Sequence, residues 1–421
     1  MGIILPMLKQ ASLFVALCSF AFLQTAIGEV EWNVFRGPTG RGHSTAKNVP
    51  VKWDASKVAW KLNLKGTGQS SAVNAGDRLF LTGASKDASE RHVFCVHKDT
   101  GKLLWEKTVK SDRPDKAHAM NSMATPTCAT DGDRVVAFFG PAGIHCFDLN
   151  GKKLWSRDLG TFPGSWGTAA SPIIVDNKVV QNCDAIGESS LIALDILNGE
   201  TVWKSERADK PRGGWSTPVL IDIGKRQELV LNGEFGVRGY DPESGKELWF
   251  CKAFNGRGSP IPDYDGKNLF VVNGKPGDIY SVTPGGSGDV TKSRMLWHAK
   301  RPRGRDLPSP VTVNGFVLAA GMTSGEVTCY DAKTGKIHWS EKLPLTQRGE
   351  IAASPLVANG LVYFTTVYGG ETVVVKPGRE FQVVASNLLD ADSSEKFRST
   401  LSPIDGRLYL RSQSTLYCIG R

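Results

Sequence analysis

Tryptophan recurs along this chain at nearly constant spacing, at positions 60, 105, 155, 203, 249, 297 and 339, with intervals of 45, 50, 48, 46, 48 and 42 residues. A further step of 42 lands on Phe381, in the apolar run Phe381-Gln382-Val383-Val384. A period of about 45 residues marks a chain of repeated supersecondary units, each burying its faces against its neighbours rather than in one common core.

The residues around each Trp define the unit. A short β-rich run is followed by a polar turn with glycine and then by a strand that reaches the Trp. Examples are Asp99-Thr100-Gly101-Lys102 before Trp105, Asn150-Gly151-Lys152 before Trp155, Asn198-Gly199-Glu200 before Trp203, Glu243-Ser244-Gly245-Lys246 before Trp249, and Lys333-Thr334-Gly335-Lys336 before Trp339. Glycine supplies positive φ in a hairpin turn, so each phrase reads as strand–turn–strand. A second anchor recurs between the tryptophans: Thr125-Pro126, Ser171-Pro172, Thr217-Pro218, Ser259-Pro260, Ser309-Pro310, Ser354-Pro355 and Ser402-Pro403, with Ser71-Ala72 at the matching place in the first unit. Proline is tolerated at a strand's first residue, so each anchor is expected to open an inner strand.

Eight openings with four short strands each predict an all-β, eight-bladed propeller. The last unit, from Ser402 to Cys418, stops before its Trp strand, and the segment Val58-Ala59-Trp60-Lys61-Leu62 is a Trp strand with no unit before it. Pairing the two would close the ring and leave no open sheet edge at the seam.

Lys9, an apolar run over residues 11–23 and the small residues Ala26 and Gly28 have the layout of a secretory signal peptide, so residues 1–28 are expected to be removed and 29–421 to form the single propeller domain. The run is short for a membrane span, so no stable membrane insertion is expected. The formal charge is +9 and losing Lys9, the one charge in the leader, lowers it to +8, spread along the chain without a Lys/Arg block. Neither this charge nor export fits a nucleic-acid partner. Cysteines recur at one repeat position, Cys95, Cys146, Cys329 and Cys418, with Ala193 in the third unit. A place that accepts Cys or Ala is expected to be a small buried core site holding a free thiol.

These phrases resemble the Trp-docked repeats of the pyrroloquinoline-quinone (PQQ) propeller superfamily, which includes quinoprotein dehydrogenases and BamB-type outer-membrane assembly lipoproteins. The resemblance runs from about Trp32 to the end. Phe35-Arg36-Gly37-Pro38-Thr39-Gly40-Arg41-Gly42 and Pro284-Gly285-Gly286-Ser287-Gly288-Asp289-Val290-Thr291 are similar to segments of secreted planctomycete-type members. What the resemblance implies divides in two. Quinoprotein enzymes hold PQQ at the channel with calcium, an Asp base and often a vicinal disulfide; no two cysteines are adjacent here, and PQQ with calcium follows from the resemblance alone. BamB-type members imply an extracytoplasmic platform for a protein partner. No Gly-x-Ser-x-Gly, His-Glu-x-x-His or Walker pattern appears, and His92, His97 and His145 fall on expected strands, where core or solvated roles suffice.

Loops that enter the inner strands ring the mouth of a propeller's channel. They carry Arg212, Arg257, Arg303, Arg305, Arg348 and Arg398, together with Lys65 and Lys396 and few acids, Asp306 and Glu350 among them. Converging guanidinium groups would suit an acidic small molecule, glycan or peptide tail, through bidentate pairs; equally, these are solvated loop charges on a mildly basic protein. Trp166 and Trp215 lie beside glycines outside the docking register, placed either to stack on a flat ligand or to plug the channel. The reading is a non-catalytic binding or protein-interaction propeller, with a PQQ- and calcium-dependent oxidoreductase acting on alcohols or sugars as the alternative.

Overall fold

The computed structural model describes residues 1–2, 31–113, 116–164, 166–252, 256–273, 275, 277–301, 307–392 and 394–420. The expected leader therefore lies almost wholly outside the described residues.

Eight antiparallel sheets form the predicted ring. Their inner strands are Val73–Ala75, Ala129–Thr130, Ile173–Val175, Val219–Asp222, Asp263–Tyr264, Val311–Val313, Leu356–Ala358 and Ser402–Ile404, and they number blades 1 to 8. The eighth blade is completed by Val58–Asn63, which pairs antiparallel with Thr415–Ile419, Trp60 opposite Cys418. The seam closes as the sequence predicts.

Six of the seven recurring tryptophans dock on the following blade. The indole N–H of Trp60 donates to Lys98 O (3.0 Å), Trp105 to Leu149 O (2.9 Å), Trp155 to Ile196 O (2.8 Å), Trp203 to Pro242 O (3.1 Å), Trp297 to Ala332 O (3.0 Å) and Trp339 to Gly378 O (3.0 Å). In five of these junctions the ring lies against the turn glycine, where a Cβ on Gly101, Gly151, Gly199, Gly245 or Gly335 would fall 2.4–2.9 Å from indole carbons. The glycine thus meets two demands, positive φ and room for a neighbour's ring. Opposite each Trp in its own sheet stands a small residue: Cys95, Cys146, Ala193, Gly239, Ser281, Cys329 or Cys418. The seven described cysteines are free and buried, as expected, and burial pushes the thiols of Cys95, Cys128, Cys146, Cys251 and Cys329 up to about 12.

Two junctions depart from the pattern. Phe381 does not take the docking place in blade 7; Ala385, opposite Val374, does. Blade 8 is split between the chain's two ends and has no turn for an indole to enter, so Trp53 from the N-terminal approach joins Ala385 in the core there, its backbone N–H bound to Asn387 Oδ1 (2.7 Å). Blade 5 carries residues 283–294 in place of the tight turn. Trp249 accordingly turns to its own blade and donates to Glu228 Oε2 (2.7 Å), while Gly288–Asp289 adds a parallel fifth strand along Glu247–Lys252.

The second anchor is a hydroxyl latch. The N–H of one blade donates to the side-chain oxygen of the next: Ser71 to Thr127 (2.9 Å), Thr127 to Ser171 (3.0 Å), Ser171 to Thr217 (2.9 Å), Ile261 to Ser309 (3.0 Å), Ser309 to Ser354 (3.0 Å) and Thr400 to Ser71 (3.0 Å). These bonds satisfy buried amides that have no strand partner. Three expected anchors, Thr125, Ser259 and Ser402, stand two residues from this register, whose occupants are Thr127, Ile261 and Thr400. Ile261 has no hydroxyl, and at that junction Ser216 Oγ and Asn232 Nδ2 donate to Pro260 O (3.1 and 2.9 Å) instead.

The channel is closed at the ends of the inner strands. Residues 32–46 cross it, tied to blade 1 by Trp32 N–H on Asn74 Oδ1 (2.8 Å), to blade 2 by Thr130 N–H on Asn33 O (2.9 Å), and to blade 7 by Ser44 N–H on Val357 O (2.8 Å). His43 Nε2 meets the fully buried Asp263 of blade 5 at 2.9 Å. Phe35 of this plug faces the well above.

Two measurements test this account. Gly199→Ala is expected to cost about 3 kcal/mol or more of unfolding free energy, because it adds a collision with Trp155 to a strained φ of +73°, whereas Gly315→Ala (φ +80°, no atom within 4 Å) carries only the ~1–2 kcal/mol backbone penalty. Equal losses in urea unfolding would refute the docking role of the glycine. A thiol-specific reagent at pH 8 should leave the seven described cysteines unmodified in the native protein and modify them all in guanidinium.

Candidate functional site

The loops that lead into the inner strands surround a blind well of about 170 Å3. Four of the expected residues meet there: Trp166, Trp215, Arg257 and Arg398 all line it. Arg212 lines a side pocket of about 240 Å3 that shares Trp166, Trp215 and Arg257 with the well. Arg348 is exposed and lines neither cavity; it stacks on Tyr368, 5.4 Å from the ring centre. Arg303 and Arg305 lie outside the described residues.

Both indoles are held in place. Asn121 Nδ2 donates to Trp166 O (2.7 Å), the His118 ring lies 4.3 Å from the Trp166 ring, and Trp215 Nε1 donates to Gly167 O (3.0 Å). Gly213 and Gly214 leave room for this arrangement: a Cβ at Gly213 would strike Trp215 at 2.5 Å, and one at Gly214 would strike Asp184 at 2.3 Å. Of the two readings for these tryptophans, the plug is supplied elsewhere, by residues 32–46, and both rings stand in the wall.

The charges are distributed unevenly. Arg257 has a backbone φ of +80°, a left-handed conformation that is uncommon for a residue with a Cβ. Its guanidinium lies 5.4 Å from the centre of the Trp166 ring, and it makes no ion pair among the described residues. Arg398 is near Glu350 (3.8 Å), and burial holds its guanidinium below the usual arginine range. Arg212 is bound to Glu234 through both its backbone N–H (2.6 Å) and its Nε (2.6 Å). Under the floor, Arg36 is only 1% exposed, and burial lowers its pKa to about 10 despite Asp263 nearby. No carboxylate lines the well among the described residues.

In the wall of the side pocket, beside Glu234, Asp184 forms a buried ion pair that the sequence did not single out, Arg207 Nη1 to Asp184 Oδ2 at 3.4 Å. Burial is the dominant influence on Asp184 and raises it to about 6, against the opposing pull of Arg207 and Arg238. Phe35, Gln69 and Asn121 were also not singled out as site residues; Phe35 sits in the opening phrase, whose crossing of the channel is a tertiary event. His92 and His145 are buried in strands, and desolvation holds both imidazoles below their usual range, which fits a core role.

Comparisons place this geometry among known proteins. The family model described as outer membrane protein assembly factor BamB matches residues 47–214, 90–259 and 287–394. BamB of Burkholderia pseudomallei is 24% identical over 359 residues, covering 83% of each chain. A polyvinylalcohol dehydrogenase from a Pseudomonas species is 23% identical over 321 residues, 60% of this chain; the match spans about half of that relative, 48%. A europium-containing methanol dehydrogenase superposes with a TM-score of 0.67 over 93% of this chain and 98% of its own, at 12% identity, a likeness of fold.

The Asp184 environment gives a pH test. A carboxyl whose folded pKa is raised favours the folded state most while it is protonated, and that contribution is lost as pH rises from the unfolded value near 4 to about 6. The stability of the wild type relative to Asp184→Asn should therefore fall across pH 4–6 and level off above it in urea unfolding. A difference that grows with pH would contradict the burial assignment.

Proposed function

The chain belongs to the PQQ-type propeller family described as outer membrane protein assembly factor BamB, and from that premise we propose that it is an exported, non-catalytic binding propeller that captures an acidic ligand or partner at the mouth of its well. The observation that carries this reading is the one-signed lining: Arg257 and Arg398 with two fixed indoles and no carboxylate among the described residues. Export rests on the leader-like residues 1–28. No helix among the described residues is long and apolar enough to cross a membrane.

The dehydrogenase relatives favour a second reading, a quinoprotein oxidoreductase. The residues present do not suit its cofactors. Calcium takes six to eight oxygen ligands, carboxylates prominent among them, and the described well offers only hydroxyls and the amides of Gln69 and Asn121. Asp184 and Glu234, at its flank, are each engaged by an arginine. No group of three or more His, Cys, Asp or Glu side chains placed to hold a metal ion occurs among the described residues.

Thermal unfolding with PQQ, with calcium and with both decides between the readings. A ligand of the native state at 100 times its Kd adds about 2.7 kcal/mol. The binding reading expects no shift that needs both quinone and calcium; such a shift would overturn it in favour of the oxidoreductase.

A further inference from the structure

Two ring-sized compartments meet at one wall. The well of about 170 Å3 and the side pocket of about 240 Å3 share Trp166, Trp215 and Arg257. By comparison with a ~150 Å3 cavity that takes one benzene, each has room for a single six-membered ring.

The wall selects among rings. Ser259 brings a hydroxyl to the well, and Thr125, Gln69 and Asn121, whose donors are held by Ser122 O, Met120 O and Trp166 O, bring acceptor oxygens, which suit a ring bearing hydroxyls better than a bare aromatic one. The indoles give flat apolar surface and are placed before any ligand arrives, Trp215 by its N–H on Gly167 O and Trp166 by the His118 ring against it. Arg257 presents a guanidinium that no described carboxylate neutralises, so a ligand carboxylate gains a strong charge-assisted pair there without breaking another. Arg212, by contrast, is already held by Glu234.

We propose, resting on the binding reading above, that the two compartments bind the end of an acidic oligosaccharide. A uronic acid ring occupies the well with its carboxylate on Arg257, and the adjoining sugar ring lies in the side pocket against the Trp166–Trp215 wall. No bond is made or broken; the remaining chain leaves through the mouth.

Titration calorimetry of the full chain with galacturonic acid, its dimer and trimer, a neutral galactose dimer, a short Asp/Glu peptide and PQQ tests this. The dimer should bind at least about tenfold more tightly than the monomer, and the trimer little more tightly than the dimer, because two compartments are filled. The neutral dimer and the Arg257→Gln protein should each lose about tenfold or more, the scale of one charged hydrogen-bonded pair. Arg348→Gln, which touches neither cavity, should bind as wild type. Should Arg257→Gln fail to fold, as judged by its melting curve, Arg398→Gln provides the same test of charge from the opposite side of the well. Equal affinity for neutral and acidic dimers, or for monomer and dimer, overturns the proposal. Binding of the acidic peptide alone, lost in Arg257→Gln, removes the sugar but leaves the binding propeller standing. Absence of binding by every anion removes both.

Discussion

An indole N–H bonded beneath the turn of the next blade is the interaction on which the ring depends. It fixes three residue types at once: Trp on the outer strand, a small residue opposite it in the same sheet, and glycine in the neighbouring turn. Each bond contributes on the order of 1 kcal/mol net, but the buried indole adds a large apolar area to each junction. The exceptions support the rule. Where blade 8 has no turn, the docking place holds Ala385; where blade 5 replaces its turn with residues 283–294, Trp249 finds Glu228 in its own sheet.

Around the channel the problem is different, because backbone amides there are buried without a sheet partner. The latch hydroxyls supply acceptors from the adjacent blade, so the polar side chains nearest the axis are largely committed to holding the ring. Selective recognition is left to the loops above, which carry the aromatic and cationic groups. The plug below completes the arrangement by turning a through-channel into a well with a floor.

Much of this was legible in one dimension. The period of Trp, the glycine turns and the incomplete final unit led to eight blades and a seam between the two ends, because each is a local signal repeated many times. The Cys/Ala position was read as small and buried, and its cause, the facing indole, became visible only in the sheet register. Counting in steps of 42 misled at Phe381, since the docking place depends on the bulge and not on spacing. The Ser/Thr-Pro anchors were read only as strand openings, as Ser402 is; the latch between blades, and the two-residue offset at Thr125, Ser259 and Ser402, became visible only in the hydrogen bonds that join neighbouring blades. At the candidate site, Trp166, Trp215, Arg257 and Arg398 were found from loop position alone. Nothing in the sequence paired Arg212 with Glu234 or set Asp184 against Arg207, since those contacts join segments 20 or more residues apart.

The ring is also not mechanically uniform. Between blades 4 and 5 and between blades 7 and 8 neither the indole dock nor the hydroxyl latch occurs among the described residues; the insertion of blade 5 bridges the first place and Trp53 of the N-terminal approach the second. Those two joints divide the circle into an arc of three blades and an arc of five, each internally fastened by the repeated bonds. Arg257 stands in the loop over one joint and Arg398 in the loop over the other. The two arginines of the well thus stand where the repeated fastening is interrupted, in loops whose residues the repeat does not dictate.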